Sequence, residues 1–162
     1  MAAVDAQFYW MSAKIPNDEF LLYAFDGEPA DYPRAVERLR GRATVEPALT
    51  IRACDRSRLR YPLWVPAAVT PEQMVRHELG EDSWDGVLVA VAGLADDQLD
   101  IRRMAWRLHL FTSVRGIPGV TGRGTVAVLQ VAHALADGAR SAAMAAWLFG
   151  RPAPVCRRCP PH

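Results

Sequence analysis

The chain is 162 residues long, 51% of them hydrophobic, with a formal net charge of +1. One domain with a sizeable core is expected at this length, and the near-neutral charge argues against a nucleic-acid partner, because such proteins usually carry a basic face. No apolar run approaches the roughly 18 residues of a spanning helix, no secretory signal opens the chain, and the three cysteines form no even disulfide set, so we expect a cytoplasmic protein.

The first predicted element is an N-terminal helix. Val4, Phe8, Met11 and Ile15 follow helical spacing, and Pro16 would end the helix. We expect this apolar stripe to pack in the core rather than to anchor the protein to a membrane, because the polar face lacks the Lys and Arg enrichment of interfacial helices.

Strands and helices alternate through the rest of the chain. Apolar runs bounded by turn residues predict strands, whereas capping residues and prolines predict where helices begin. This mixture indicates the α/β or α+β class. In chain order we predict a strand over residues 20–25, a helix that begins after Pro33 and stops at Gly41, short strands over 50–54 and 63–65, a helix capped by Thr70 that continues to Leu79, strands over 87–94, 106–111 and 125–131, and a final helix over 138–149.

Two segments resemble binding sites only superficially. The glycine-rich connection over 116–122 lacks the Lys-Ser/Thr of a phosphate-binding loop, so we interpret it as a hairpin loop. An arginine cluster is interpreted as a solvated face, with an anionic site for coenzyme A phosphates or lipid head groups as the alternative. It comprises Arg52, Arg56, Arg58 and Arg60.

The C-terminal tail over residues 151–162 is rich in Pro, Arg and Cys and is predicted to be disordered, which leaves 1–150 as the domain. Its Cys156, Cys159 and His162 form a CxxCxxH pattern. Structural zinc needs four ligands, and no fourth stands at a recognisable spacing, so we expect no metal there.

The sequence that most resembles a site for chemistry is HALADG over residues 133–138, an HxxxDG pattern. The preceding strand over 125–131 has no charge and many β-branched residues, which favours burial on both faces. His133 is therefore expected where a buried strand ends, and histidine exchanges protons near neutral pH. Asp137 also suits the N-cap of the final helix, and Gly138 would allow close backbone approach or a positive φ.

Three ordered blocks resemble the bacterial wax ester synthase/diacylglycerol acyltransferase family, within the chloramphenicol acetyltransferase-like and condensation-domain superfamily. Residues 4–12, VDAQFYWMS, resemble the family's opening LDALFLWME. Residues 104–110, MAWRLHL, resemble PLWELHL, and Gly122 and Arg123 then precede the strand and the motif. The resemblance implies half of a chloramphenicol acetyltransferase-like fold, with a mixed sheet flanked by helices.

The resemblance also implies roles for individual residues. His133 stands at the position of the general base, and Asp137 would hold the motif loop, commonly through an arginine. His109, in the second block, is interpreted as cleft-lining or structural. Gln130 lies in the strand near the motif, where a hydrogen-bonded structural role is favoured over a catalytic one. His77, on the predicted helix, is interpreted as an exposed structural residue.

Two features depart from the family pattern. The paired histidines of the family are Ala132 and His133 here, so the first is missing. The family's proteins are also considerably longer and have two similar halves with the catalytic histidine in a tunnel between them. We therefore expect this chain to supply only the first half.

The resemblance implies an O-acyltransferase that transfers an acyl group from acyl-CoA, as co-substrate and with no bound cofactor, to a fatty alcohol or diacylglycerol. Triacylglycerol biosynthesis and peripheral association with a membrane or lipid droplet would follow. One alternative is a catalytically silent half, or a half that pairs with another chain. Another is a metal hydrolase with His133 and Asp137 as ligands, which lacks further ligands at recognisable spacing.

Overall fold

The computed structural model describes residues 1–56 and 60–151. They form four α-helices and six β-strands, with short 3-10 turns at Pro47–Leu49 and Pro71–Gln73. The helices are α1 (Ala3–Ser12), α2 (Tyr32–Val45), α3 (Trp84–Leu94) and α4 (Gly138–Phe149), and the strands are β1 (Glu19–Asp26), β2 (Ile51–Cys54), β3 (Leu63–Pro66), β4 (Met74–His77), β5 (Trp106–Arg115) and β6 (Arg123–Val131).

Four strands form a mixed sheet in the order β1-β6-β5-β4. The pairs β1–β6 and β5–β6 are antiparallel, whereas β4 and β5 are parallel and are connected through α3. Strands β2 and β3 form a separate antiparallel hairpin. The predicted class, a mixed sheet flanked by helices, is confirmed.

Helices cover both faces of this sheet. On one face, α2 and α4 pack against alternate residues of the two central strands, such as Leu108 and Leu129. On the other face, Val87 of α3 packs with Phe111 and Val128. Strand β6 is buried on both faces, as its uncharged sequence predicts.

Trp106, fully buried at the start of β5, is the largest side chain of the core. Its indole nitrogen donates a hydrogen bond to the carbonyl of Leu49 at 2.9 Å, so the ring is buried without an unsatisfied donor.

Two predicted elements are wrong. The segment after Thr70 is a single 3-10 turn followed by β4. The side chain of Gln73 ties this turn to β5, because its amide nitrogen donates a hydrogen bond to the carbonyl of Trp106 while its oxygen accepts one from the backbone of Thr70. Residues 87–94, predicted as a strand, lie in α3. Ser83 is the N-cap of this helix, because its hydroxyl accepts a hydrogen bond from the backbone N–H of Gly86. The apolar run alone predicts a strand and gives no sign of this cap.

Two further expectations fail in detail. Helix α2 continues through Gly41 to Val45, because Gly41 keeps helical geometry and the buried Ala43 beyond it packs in the core. The apolar stripe of α1 was expected in the core, yet Val4, Met11 and Ile15 are exposed. Phe8, the fourth residue of the predicted stripe, does pack against the core, together with Tyr9 and the buried Ala6.

The other predicted elements are confirmed, including the final helix, whose end is marked by Gly150 with φ of 66°. Residues 152–162, which include the CxxCxxH pattern, lie outside the described part of the chain, as does Arg58. In the described ranges no helix is long and apolar enough to cross a membrane.

Candidate functional site

His133 lies two residues beyond Val131, the last residue of the buried strand β6. The register places Val131 opposite Glu19, the first residue of β1. The backbone of Ala132 is held by the carbonyl of Ala105, and the ring of Phe8 meets the His133 imidazole edge to face at a centroid distance of 4.0 Å. The His133 side chain keeps 28% of its surface exposed, so the ring is fixed by its surroundings yet open to a small molecule.

A carboxylate that the sequence analysis missed contacts this histidine. Oε1 of Glu19 lies 2.6 Å from Nδ1 of His133. The second oxygen of Glu19 accepts a hydrogen bond of 2.8 Å from the hydroxyl of Ser141, which is fully buried in α4. The only sequence signal was an acidic residue at the start of an otherwise apolar strand, and no spacing rule connects it to the motif 114 positions away.

Asp137 is the N-cap of α4. Its carboxylate accepts from the backbone of Arg140 at 3.0 Å, and its carbonyl accepts from the backbone of Ser141. The capping role is confirmed, and among the described residues Asp137 forms no ion pair with an arginine. The cap fixes the start of α4 and therefore the position of Ser141 under Glu19.

The two structural reasons given for Gly138 are wrong. Its φ is not positive, and a Cβ atom added there would meet nothing within 4 Å. The glycine begins α4 in ordinary geometry with open space beside its backbone.

His109 and Gln130 lie on the α3 side of the sheet, inside a buried polar network. Nε2 of His109 lies 2.9 Å from the Gln130 oxygen, and Nδ1 lies 2.8 Å from Nε2 of His77. The Gln130 amide donates to Asp18 at 2.7 Å and to the carbonyl of Asp97. Both residues are essentially inaccessible, so they line no open cleft in the described chain.

Burial sets the protonation of this network. Desolvation, reinforced by nearby His77 and Arg107, lowers the pKa of His109 to about 4, although its bond to Gln130 acts in the opposite direction. Burial also lowers the pKa of His77 and raises that of Asp18. His77 is thus a half-buried partner of His109 on β4, and its interpretation as an exposed helical residue is wrong.

An apolar groove of about 570 Å³ runs beside the motif. Leu135 and Ala136 of the motif form part of its wall, together with Trp64 of β3 and Met144 of α4. Charged side chains of both signs also line the groove, namely Asp5, Glu46, Arg140 and Arg151, so its charge does not select an anionic ligand.

Metal ligation finds no support in the described residues. No group of three or more His, Cys, Asp or Glu side chains there is placed to hold a metal ion. Asp137 is occupied in capping α4, and His133 contacts a single carboxylate.

Comparison of the whole chain with solved structures decides the fold. The first condensation domain of the calcium-dependent antibiotic synthetase matches with a TM-score of 0.71 and 18% identity, over 97% of this chain and 40% of that one. The wax ester synthase/diacylglycerol acyltransferase from Marinobacter aquaeolei VT8 matches with a TM-score of 0.66 and 23% identity, over 85% and 35%. The chain has the chloramphenicol acetyltransferase-like fold of the condensation domains.

This fold is the one that the resemblance of the three sequence blocks implied. The X-domain from teicoplanin biosynthesis shares it too, with a TM-score of 0.67, 16% identity, and coverage of 99% of this chain and 34% of that one. The chain spans about 40% or less of the length of these structures. No protein-family model and no curated protein matches it.

Proposed function

We propose that this chain carries the general base of an acyl-CoA-dependent O-acyltransferase of the wax ester synthase/diacylglycerol acyltransferase type. The observation that carries the proposal is the placement of His133. The histidine of the HxxxDG pattern lies two residues beyond the end of a buried strand, is partly exposed, and has Nδ1 in contact with Glu19. In the described chain nothing hydrogen-bonds Nε2, which leaves that nitrogen to accept a proton from a substrate.

The reaction needs no covalent acyl-enzyme. Nε2 of His133 removes the proton of a fatty alcohol or diacylglycerol hydroxyl while that oxygen attacks the thioester carbonyl of acyl-CoA. Collapse of the tetrahedral intermediate expels the coenzyme A thiolate, which takes the proton back from the imidazolium. The products are an ester and free coenzyme A, and His133 returns to its neutral form.

The surroundings of the motif support an acyl substrate. The groove along Leu135, Ala136 and Met144 has the apolar lining and volume that a hydrocarbon chain requires. The open space beside the Gly138 backbone would admit a developing oxyanion close to a helix N-terminus, where backbone N–H groups favour negative charge.

The test is ester formation from palmitoyl-CoA with hexadecanol or with diacylglycerol, measured by mass spectrometry. The chain is assayed alone and after co-expression with the coding sequence directly downstream. Ester that requires both substrates supports the proposal. Hydrolysis of palmitoyl-CoA without ester, or no reaction in either preparation, overturns it.

A second candidate is a half that works only when paired with another chain, or that is catalytically silent. Exposed apolar residues on α1 and shortly after it favour it, because exposed apolar surface can mark an interaction face. Val4, Trp10 and Met11 are exposed on α1, and Ile15 is exposed three residues beyond its end. Ester formation by the purified chain alone would count decisively against this candidate.

The acyltransferase candidate implies a cytoplasmic protein that binds lipid surfaces peripherally, as expected for triacylglycerol biosynthesis. Flotation of the purified chain with phosphatidylcholine vesicles that contain diacylglycerol tests this localisation. Recovery of the protein with the floating vesicles is expected, and complete recovery in the aqueous fraction would contradict it.

A further inference from the structure

We propose that Glu19 is the positioning residue of His133, selecting the imidazole tautomer that leaves Nε2 free. The inference deepens the proposed function and rests on it for its catalytic meaning. The placement of the two side chains in the fold carries it, and the motif contributes only the histidine.

The contact distance fixes the direction of the hydrogen bond. A carboxylate only accepts hydrogen bonds, so the neutral imidazole must donate its proton from Nδ1 to Oε1 of Glu19 at 2.6 Å. The lone pair then resides on Nε2. A general base needs this form, because the nitrogen that already carries a proton cannot accept one.

The Glu19 carboxylate is itself held in place. Ser141 donates its hydroxyl to the other oxygen at 2.8 Å from a fully buried position, and the backbone of Ser141 is fixed by Asp137. The β1–β6 register aligns Glu19 with Val131, two residues before His133. A chain of contacts therefore leads from the helix cap through Ser141 and Glu19 to the imidazole.

Side-chain alternation explains why Glu19, rather than its neighbour, has this role. Asp18 accepts from Gln130 and from the backbone of Leu99, on the α3 side of the sheet. The next residue in an extended chain projects to the opposite side, toward α4 and His133. The two adjacent acids thus serve different networks.

The same carboxylate would act during turnover. When His133 takes the substrate proton it becomes an imidazolium, and Glu19 already lies against its Nδ1–H. A fixed negative charge at that position stabilises the cation without reorganisation, as preorganised groups do in catalysis. Glu19 would therefore raise kcat while affecting substrate binding little.

The first test does not depend on activity. Nitrogen-15 NMR of the imidazole at pH 8 identifies which ring nitrogen of His133 carries the proton, with His133→Ala used for assignment. We expect Nδ1–H in the wild-type chain and in Glu37→Gln, a control at an exposed helix surface. In Glu19→Gln the amide can donate to Nδ1, so a shift of population to Nε2–H is expected. The same tautomer ratio in wild type and Glu19→Gln would overturn the proposal.

The second test measures steady-state kinetics of the preparation that forms ester. Glu19→Gln should lower kcat by about tenfold to a hundredfold with KM changed less than about threefold, because general-base catalysis itself contributes about 10²–10⁴-fold. Glu19→Asp should recover part of kcat, and Ser141→Ala should lie between Glu19→Gln and wild type. A loss of kcat equal in Glu37→Gln and Glu19→Gln would contradict positioning.

The two tests separate the inference from the proposed function. If the tautomer changes in Glu19→Gln but no preparation forms ester, the positioning role of Glu19 stands and the proposed acyltransferase activity is refuted. If ester forms but the tautomer is the same in Glu19→Gln and wild type, the acyltransferase activity stands and the positioning role of Glu19 is refuted.

Discussion

The buried histidine His109 makes the folded state sensitive to acid. Its pKa is lowered to about 4 by burial, whereas an unfolded chain has the ordinary histidine value of about 6.5. Between these values the unfolded state binds more protons, so the free energy of unfolding falls as pH decreases. Linkage gives a loss of about 2 kcal/mol between pH 7.5 and pH 5 from this residue.

The assay is urea unfolding at a series of pH values for the wild type and for His109→Gln, which keeps an amide donor and acceptor between Gln130 and His77. Asp18, whose raised pKa favours the folded state as pH decreases, is present in both proteins, so its effect largely cancels in the difference. We expect the stability advantage of the wild type to shrink by about 2 kcal/mol on acidification to pH 5.

If His109→Gln folds poorly, NMR titration of the His109 imidazole in the wild-type protein tests the same prediction. The imidazole of His109 should remain neutral at pH 5 in the folded wild-type protein. An imidazole that titrates near pH 6.5, or a stability difference that is constant with pH, would refute the assignment of His109 as a buried neutral partner of Gln130.

Substitutions at four residues test the packing and capping of the fold that positions the site. Gly124→Ala should lower the free energy of unfolding in urea by about 1–3 kcal/mol, because the added Cβ would lie 2.6 Å from the carbonyl oxygen of Phe25. Gly41→Ala should raise it by up to about 1 kcal/mol, because the added Cβ meets nothing within 4 Å in a helix. Equal effects of the two substitutions would contradict this packing. Asp137→Ala should lower stability by about 1 kcal/mol through loss of the α4 cap, and Asp137→Asn should retain most of it; no change in Asp137→Ala would show that the cap is dispensable. Trp106→Phe should lower the free energy of unfolding by about 1–3 kcal/mol, because the buried carbonyl of Leu49 loses its hydrogen-bond donor. A urea midpoint within error of the wild type would exclude that hydrogen bond as a stabilising contact.

The sequence predicted well where one signal dominated. The uncharged β-branched run before His133 predicted the doubly buried β6, and Gly150 marked the end of α4. The three ordered blocks implied a chloramphenicol acetyltransferase-like fold although no single block is specific, and the solved structures agree with that fold.

Prediction failed where partners distant in sequence decide the local structure. Residues 74–77 form a strand because β5 pairs with them, although Thr70 and Pro71 resemble a helix start. The apolar residues of α3 fit a buried strand by composition, and only packing against Phe111 and the Ser83 cap distinguish the helix. Glu19 was missed for the same reason: strand register, which periodicity does not reveal, places it beside His133.

The most direct test of the central claim is the single-turnover rate of ester formation by His133→Ala, compared with His162→Ala as a histidine-to-alanine control and with folding checked by circular dichroism. With His133 as the general base, its removal should lower the rate by about 10²–10⁴-fold while His162→Ala reacts like the wild type. A folded His133→Ala protein that forms ester at the wild-type rate would contradict the account.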